Sequence, residues 1–225
     1  FGLNAFSDNI KNIGEFTIHI APWLLLLSAI ILPIISVLFY MQAKKLLSAW
    51  DGEDEVLSDA IDEKLSMIIW ISSIVLIVSY FLIAAAYSGS FATFDDKENI
   101  VPFFVGILAF FGIMVESIVI QQKCVDMAKK TNPEKTVSVY DMKFQKKWLD
   151  SCDEAEKLLI GKCSFKAFSA TNGVCMLLAV LLALGALVFE IGFLPSLAVC
   201  LIWIVNQSAY YKEAMKYSKV GNRIS

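Results

Sequence analysis

The sequence predicts an all-α fold, a polytopic bundle of transmembrane helices with a small cytoplasmic helical layer. Two observations predict it. Hydrophobic residues make up 57% of the chain and charged residues only 18%, against roughly 25% charged residues in a soluble domain. The apolar residues also collect in runs of about 20, the length that a helix needs to cross a bilayer. None of the runs alternates between apolar and polar residues, as the strands of a membrane barrel do.

Five apolar runs are predicted to be transmembrane helices. They lie at 21–41, 67–87, 100–121, 168–188 and 193–211. Pro33 lies in the middle of the first run and is expected to kink it, because proline removes one backbone hydrogen bond. The chain begins at Phe1 and not at Met, so we expect that a signal peptide or a further span precedes it. The further span is the preferred interpretation and would give six spans in the full chain.

The placement of lysine predicts the orientation of the spans. If the two long loops and the tail share one side, that side carries seventeen of the 19 Lys and Arg residues, and the other side keeps Lys11 and Lys97. Because positive residues are retained on the cytoplasmic side, the C-terminus is expected to be cytoplasmic. The predicted layout is a transmembrane bundle over 1–211, including a cytoplasmic helical hairpin at 42–66 and cytoplasmic helices at 122–167, followed by a cytoplasmic tail at 212–225.

The first long loop is acidic, with seven Asp and Glu residues from Asp51 to Glu63. Ser48 and Asp51 have the spacing of a capping box, and an apolar stripe behind them predicts a helix that leads into the second span. A calcium loop requires glycine at its sixth position between alternating oxygen ligands, and Gly52 is in the wrong place for this. A solvated acidic face is therefore preferred to a metal site.

The second long loop contains the stretch "DMKFQKKWLDSCDEAEK", which predicts an amphipathic helix from about Asp141 into the fourth span. Its apolar residues recur every three or four positions. This candidate docking face comprises Phe144, Trp148, Cys152, Ala155 and Leu159. A helix that exposes aromatic rings on one side is expected to dock. The preferred partner is the acidic hairpin of the same chain, and the alternatives are another protein and the membrane surface.

Four polar residues within the runs form a candidate in-membrane site. They are Glu116, Asn172, Asn206 and Gln207, which fall at similar predicted depth. A charged side chain at mid-bilayer costs about 2.5–3.5 kcal/mol on insertion scales, so Glu116 requires an explanation. The structural interpretation is that Glu116 faces water, pairs with a neighbouring helix or is protonated. The functional interpretation is contact with an ion or a substrate.

Catalytic and cofactor signatures are missing from the sequence. The single histidine, His19, has no acid or nucleophile at a recognisable spacing, and no phosphate-binding or metalloprotease motif occurs. The five cysteines form no CxxC pair, so reduced thiols are expected. One arginine among nineteen basic residues argues against nucleic-acid recognition, which relies on Arg. We expect a protein that is not an enzyme and that binds no cofactor, metal or nucleic acid.

The stretches "NPEK", "VYDMKFQKKWLDSCDEAEK", "KAF" and "FDDKEN" resemble an uncharacterised family of Gram-positive bacterial multipass membrane proteins. The resemblance covers about 42–170. It implies a multipass protein of the bacterial inner (plasma) membrane and supports an additional N-terminal span. The family has no established activity, so it implies no functional residues.

Two functions remain open on the sequence. The first is an accessory, immunity-type or regulatory subunit that associates through a helix with a membrane-protein or transporter partner, or as a homo-oligomer. The alternative is a permease subunit of an ATP-driven exporter, with Pro33 and Glu116 in the moving parts. A permease is expected to show internal repeats, and none is evident, which favours the first function.

Overall fold

The computed structural model describes residues 2–87, 97–189 and 194–218. Over these ranges the chain contains helices and no strand, so the predicted all-α fold is confirmed. The helices are α1 (Gly2–Ala49), α2 (Glu55–Tyr87), α3 (Lys97–Thr131), α4 (Phe144–Asp150), α5 (Glu154–Phe189) and α6 (Leu194–Ser218).

Four of these helices are long and apolar enough to cross a membrane, which indicates a membrane protein. They are His19–Ala49, Glu55–Tyr87, Ile100–Thr131 and Glu154–Ala186. The prediction of five spans is wrong. Helix α6 does form over the described part of the fifth run, but its apolar stretch from Leu194 to Val205 ends at Asn206 and Gln207. That stretch is shorter than the roughly 20 residues that a span requires.

The chain divides into two compact units, Phe1–Ser151 and Cys152–Ser225. In the first unit α1, α2 and α3 pack together as a three-helix bundle. Two apolar clusters follow one another along it. One contains Ala21, Leu25, Leu32, Leu82, Ala86, Ala109 and Ile113, and the other Ala43, Ile61, Leu65, Ile68, Cys124 and Met127. The alanines allow the helices to approach closely, which is how helices associate in lipid.

Gly106 of α3 lies at a close approach of helices in this bundle. A Cβ atom at this position would lie 3.3 Å from Tyr87 Oη of α2 and 3.6 Å from Pro22 Cβ of α1. Tyr87 Oη also donates a hydrogen bond of 2.7 Å to the carbonyl oxygen of Phe103. The three helices therefore meet at Gly106, where any side chain larger than the hydrogen of glycine would have to displace a neighbouring atom.

The turn between α1 and α2 is built by two aspartates and one glycine. Asp51 Oδ1 accepts hydrogen bonds from the amides of Glu53 and Asp54, while Gly52 takes a φ of 98°, which favours glycine. Asp54 Oδ1 then accepts from the first amides of α2. Asp54 is thus the N-cap of α2, and the predicted capping role of Ser48 is wrong, because Ser48 Oγ donates to the carbonyl oxygen of Lys45 inside α1.

The segment after α3 is fastened to that helix by Gln122. Its Oε1 accepts hydrogen bonds of 2.8 Å from both Ser138 Oγ and the Val139 amide. Asp141 then begins the turn into α4, and its carboxylate binds Lys147 and the Lys143 amide. The hydrogen bond from Lys147 makes the larger contribution and that from the Lys143 amide the next, and both hold the pKa of Asp141 below its ordinary value.

The predicted continuous helix from Asp141 into the fourth span is wrong. Helix α4 ends at Asp150, and α5 begins only at Glu154. The reason is a reciprocal capping box. Asp153 Oδ1 accepts from the Glu156 amide at 2.7 Å, and Glu156 Oε2 accepts from the Asp153 amide at 3.1 Å. This pair starts a new helix, because the N-cap residue Asp153 takes a non-helical conformation.

Candidate functional site

The structure divides the predicted in-membrane polar site between the two units. Asn172, Asn206 and Gln207 lie together in the second unit, whereas Glu116 belongs to the bundle of the first unit. The two places have different chemistry and are described separately.

Asn172 of α5 is the acceptor at the centre of the second unit's polar cluster, here called the asparagine node. Its Oδ1 accepts hydrogen bonds from Trp203 Nε1 at 3.1 Å, Asn206 Nδ2 at 3.2 Å and Gln207 Nε2 at 3.1 Å. Trp203 was not predicted, although its spacing to Asn206 and Gln207 puts all three on one face of α6. Since none of these side chains titrates, the node joins two helices and cannot act as an acid or base.

Stacked rings lie on the same pair of helices. Phe168 and Tyr210 have ring centroids 4.6 Å apart and an interplanar angle of 20°. Phe168 precedes Asn172 by one turn of α5, and Tyr210 follows Gln207 by about one turn of α6. The aromatic pair therefore extends the contact made by the asparagine node, and together they hold α5 and α6 as a hairpin.

Glu116 lies on the wall of a cleft between α1 and α3. The cleft has a volume of about 250 Å³ and is mostly apolar, and its lining includes Pro33, Ser36, Tyr40, Glu116 and Lys123. Glu116 Oε2 and Ser36 Oγ are both buried, and neither has a hydrogen-bond partner among the residues that the structure describes. Ser36 was not predicted, because a serine in an apolar helix ordinarily bonds to its own backbone and carries no signal of a site.

The predicted docking face is split by the break between α4 and α5. Phe144 and Trp148 stay together on α4, with ring centroids 5.7 Å apart. Lys135 Nζ lies 4.9 Å from the centroid of the Trp148 ring, although the lysine is only 5% exposed. A cation at this distance from the indole face is attracted by the ring quadrupole. Docking of these rings on the acidic hairpin stays a prediction.

The remaining members of that face lie in the second unit. Cys152 precedes α5 and is buried, whereas Ala155 and Leu159 lie on α5 and are exposed. Further exposed residues continue along this side of the helix at spacings of three, four and seven, which places them within roughly 120° of one another. The exposed α5 face comprises Ala155, Leu158, Leu159, Phe165, Ser169 and Gly173. Sequence reasoning missed its continuation because it assigned the stripe to a helix that began earlier.

The five cysteines all lie in the described residues, and no disulfide joins any two of them. Cys124, Cys152 and Cys175 are buried, Cys200 is partly exposed, and Cys163 on α5 is exposed. Cys163 therefore offers a natural position for chemical labelling.

Comparison with known protein families matches most of the chain to a family. The profile of a family described as "Protein of unknown function (DUF3169)" matches residues 9–214. No curated protein and no solved structure matches the chain. The family match confirms that the chain is a member of an uncharacterised family, and a Gram-positive origin stays a prediction. The chain thus belongs to the DUF3169 family, whose function is unknown.

Proposed function

We propose that this chain is a non-enzymatic integral membrane protein, an accessory or regulatory subunit that binds a membrane-protein partner through the exposed α5 face. One observation carries the proposal. In the most apolar 18-residue window of each spanning helix, 17% to 22% of the residues of α1, α2 and α3 are buried, but only 6% of those of α5. Within its own unit, α5 packs on one neighbouring helix, α6.

The residues at the start of α5 favour a protein partner over lipid. Leu158, Leu159 and Phe165 are each more than 60% exposed, and they stand among charged residues such as Lys157 and Lys162. Exposed apolar groups in a charged, hydrated region are a feature of interaction sites. An amphipathic partner helix would cover them.

The next two turns of the same face are small. Ser169 and Gly173 are four residues apart, and a Cβ atom added at Gly173 would meet no atom within 4 Å. Small residues at this spacing let the backbone of a second membrane helix approach closely. The small side chains of Ser169 and Gly173 leave a shallow groove, here called the notch. This spacing favours close packing of a second helix over contact with lipid tails.

The same proposal places the protein in the bacterial plasma membrane with the C-terminus in the cytoplasm. The lysine distribution supports this orientation, and Cys163 provides the test. A membrane-impermeant maleimide applied to intact cells should leave Cys163 unlabelled and should label it after permeabilisation. A Cys163→Ser variant serves as the control, and labelling of position 163 in intact cells would reverse the proposed orientation.

Association is tested by a matched pair of substitutions on α5. Ser169→Leu fills the notch, whereas Thr171→Leu adds a comparable side chain about 180° away on the helix, where the residue is also exposed. A photo-crosslinking residue at position 158 in native membranes should capture a partner in the wild-type chain and in Thr171→Leu. Ser169→Leu should reduce the captured fraction about tenfold, while thermal unfolding of the purified protein should stay unchanged.

The identity of the captured protein decides between the candidate functions. A second integral membrane protein supports the accessory role. An ATPase recovered in equal amount with the chain would instead support the permease subunit of an exporter. Crosslinks only to a second copy of this chain, or equal capture by the two leucine variants, would contradict the proposal.

A further inference from the structure

The cleft in the first unit contains two buried polar atoms that have no hydrogen-bond partner among the described residues. It lies between α1 and α3, and Ile68 of α2 closes one side. Apolar side chains form most of the wall, and Glu116 Oε2 and Ser36 Oγ are its buried polar atoms. A buried acceptor without a donor is costly, more so when it is a carboxylate.

Buried serines of the same bundle behave in two ways. Ser117 Oγ, like Ser36 Oγ, has no hydrogen-bond partner among the described residues, but Ser117 does not line the cleft. Ser72 and Ser79 are 0% and 1% exposed, and each donates its hydroxyl to a carbonyl of its own helix, at 2.9 Å and 2.7 Å. Ser36 is 5% exposed, yet its Oγ makes no such bond within the described part of the chain. Its hydroxyl is therefore free to serve a molecule in the cleft that it lines.

The residues that line the cleft indicate which chemical class of molecule could bind there. A buried carboxylate oxygen attracts a cationic donor, and Val37, Ile68 and Val119 call for an apolar body beside it. A bare Ca²⁺ ion would need six to eight oxygen ligands, and the lining offers side-chain oxygens only from Ser36, Tyr40 and Glu116. Lys123 lies two turns beyond Glu116 on α3 and is exposed, so it leaves the carboxylate available.

We propose that this cleft is a binding site for a small organic ammonium compound with an apolar body. The ammonium group donates hydrogen bonds to Glu116 Oε2 and Ser36 Oγ, and the apolar part lies against the valines and Pro33. The proposal rests on the first unit alone and is independent of partner binding through α5.

The volume limits the size of the ligand. A cavity of about 150 Å³ is large enough to bind benzene, and drug-sized ligands occupy pockets of roughly 300–1,000 Å³. At about 250 Å³ the cleft suits one aromatic ring or a short alkyl chain with its amine. In surroundings of low dielectric the attraction between the two charges is stronger than in water, which offsets part of the loss of hydration.

The test uses three probes of similar size and different charge. They are 2-phenylethylammonium, the neutral 2-phenylethanol and the anionic 3-phenylpropionate, each titrated by calorimetry into the full chain in lipid nanodiscs. The ammonium compound should bind saturably, and the alcohol and the acid should bind at least tenfold more weakly. Equal binding of the ammonium compound and the alcohol, or preferred binding of the acid, would overturn the proposal.

Four variants locate the site. Glu116→Gln should weaken binding of the ammonium compound roughly 10- to 100-fold, because it removes a charged hydrogen bond, and Ser36→Ala should weaken it roughly 2- to 10-fold. Val119→Phe keeps the carboxylate but fills the cleft, and should weaken binding at least tenfold. Ser79→Ala removes a hydroxyl that already has its own partner and should leave affinity unchanged. Unchanged affinity in both Glu116→Gln and Val119→Phe, with folding intact, would refute the site.

Discussion

The helices of the three-helix bundle and those of the α5–α6 hairpin are held together by different kinds of contact. In the bundle each spanning helix packs on two others, and its core extends from Ala21 to Met127. In the hairpin, α5 packs on α6, and the contact is organised around the hydrogen bonds of one asparagine. The difference indicates that the bundle depends on shape, whereas the hairpin depends on polar pairing. Within its own unit, most of the surface of α5 away from α6 is exposed.

The largest expected effect comes from exchanging two glycines for leucine, one in each unit. Gly106→Leu forces a side chain into the contact with Tyr87 and Pro22 and should destabilise the bundle by about 3 kcal/mol. Gly173→Leu places its side chain in open space and should cause no loss of stability, with a gain of up to about 1 kcal/mol from the higher helix propensity of leucine. Unfolding by denaturant in detergent micelles measures both. Similar losses for the two variants would remove the distinction between the units.

The second effect concerns the asparagine node. Asn172→Leu removes the acceptor of three hydrogen bonds and should cost about 2 kcal/mol, at about 0.6 kcal/mol for each bond inside a membrane. Gln207→Leu removes one donor and should cost about a third as much. Protease cleavage between α5 and α6, followed over time, reports the opening of the hairpin. If Asn172→Leu is as resistant as wild type, polar pairing does not hold these helices together.

Removing the N-cap of one helix in each unit should have a smaller effect, and one of similar size in the two units. Asp54→Ala in the bundle and Asp153→Ala at the start of α5 each remove a side chain that accepts from the first amides of a helix. Each should cost about 1 kcal/mol. Amide hydrogen exchange at the first turn of α2 and of α5 measures the loss directly. An effect confined to one of the two caps would show that the other helix start is fixed by packing.

The smallest effect is a dependence on pH at the turn between α1 and α2. Hydrogen bonds from the amides of Glu53 and Asp54 hold the pKa of Asp51 below its ordinary value. A depressed pKa means that the turn gains stability above the ordinary aspartate pKa and loses it as the pH falls through the lowered value. NMR titration of the Asp51 carboxyl should give a midpoint below the ordinary pKa of an aspartate. Asp51→Asn should remove the pH dependence of amide exchange at Glu53.

Much of the fold could be predicted because lipid imposes a simple rule on sequence. Apolar runs of sufficient length and the absence of alternation between apolar and polar residues predicted the helices. The error in the fifth span arose because Asn206 and Gln207 were included in an apolar run. Their side chains bond to Asn172, so the same residues that shorten the apolar stretch create the contact with α5.

The site was harder to predict, since it depends on which polar groups lack a partner. Glu116 was found because a carboxylate in an apolar run is rare. Ser36 was missed because its sequence setting does not differ from that of Ser72 or Ser79, and only the three-dimensional structure shows which hydroxyl bonds to its own helix. The break after α4 was missed because the apolar period continues across Asp153, while the local capping bonds override it.

The attachment of Gln122 to Ser138 and Val139 has a mechanical consequence. Glu116 lines the cleft. Gln122, six residues further along the same helix α3, holds the loop through Ser138. If α3 turns about its axis, the anchored loop moves with it, and α4 follows because Asp141 ties that loop to Lys147. A rotation of only a few degrees within the membrane would thus be transmitted to the orientation of the Trp148 ring beyond the end of α3.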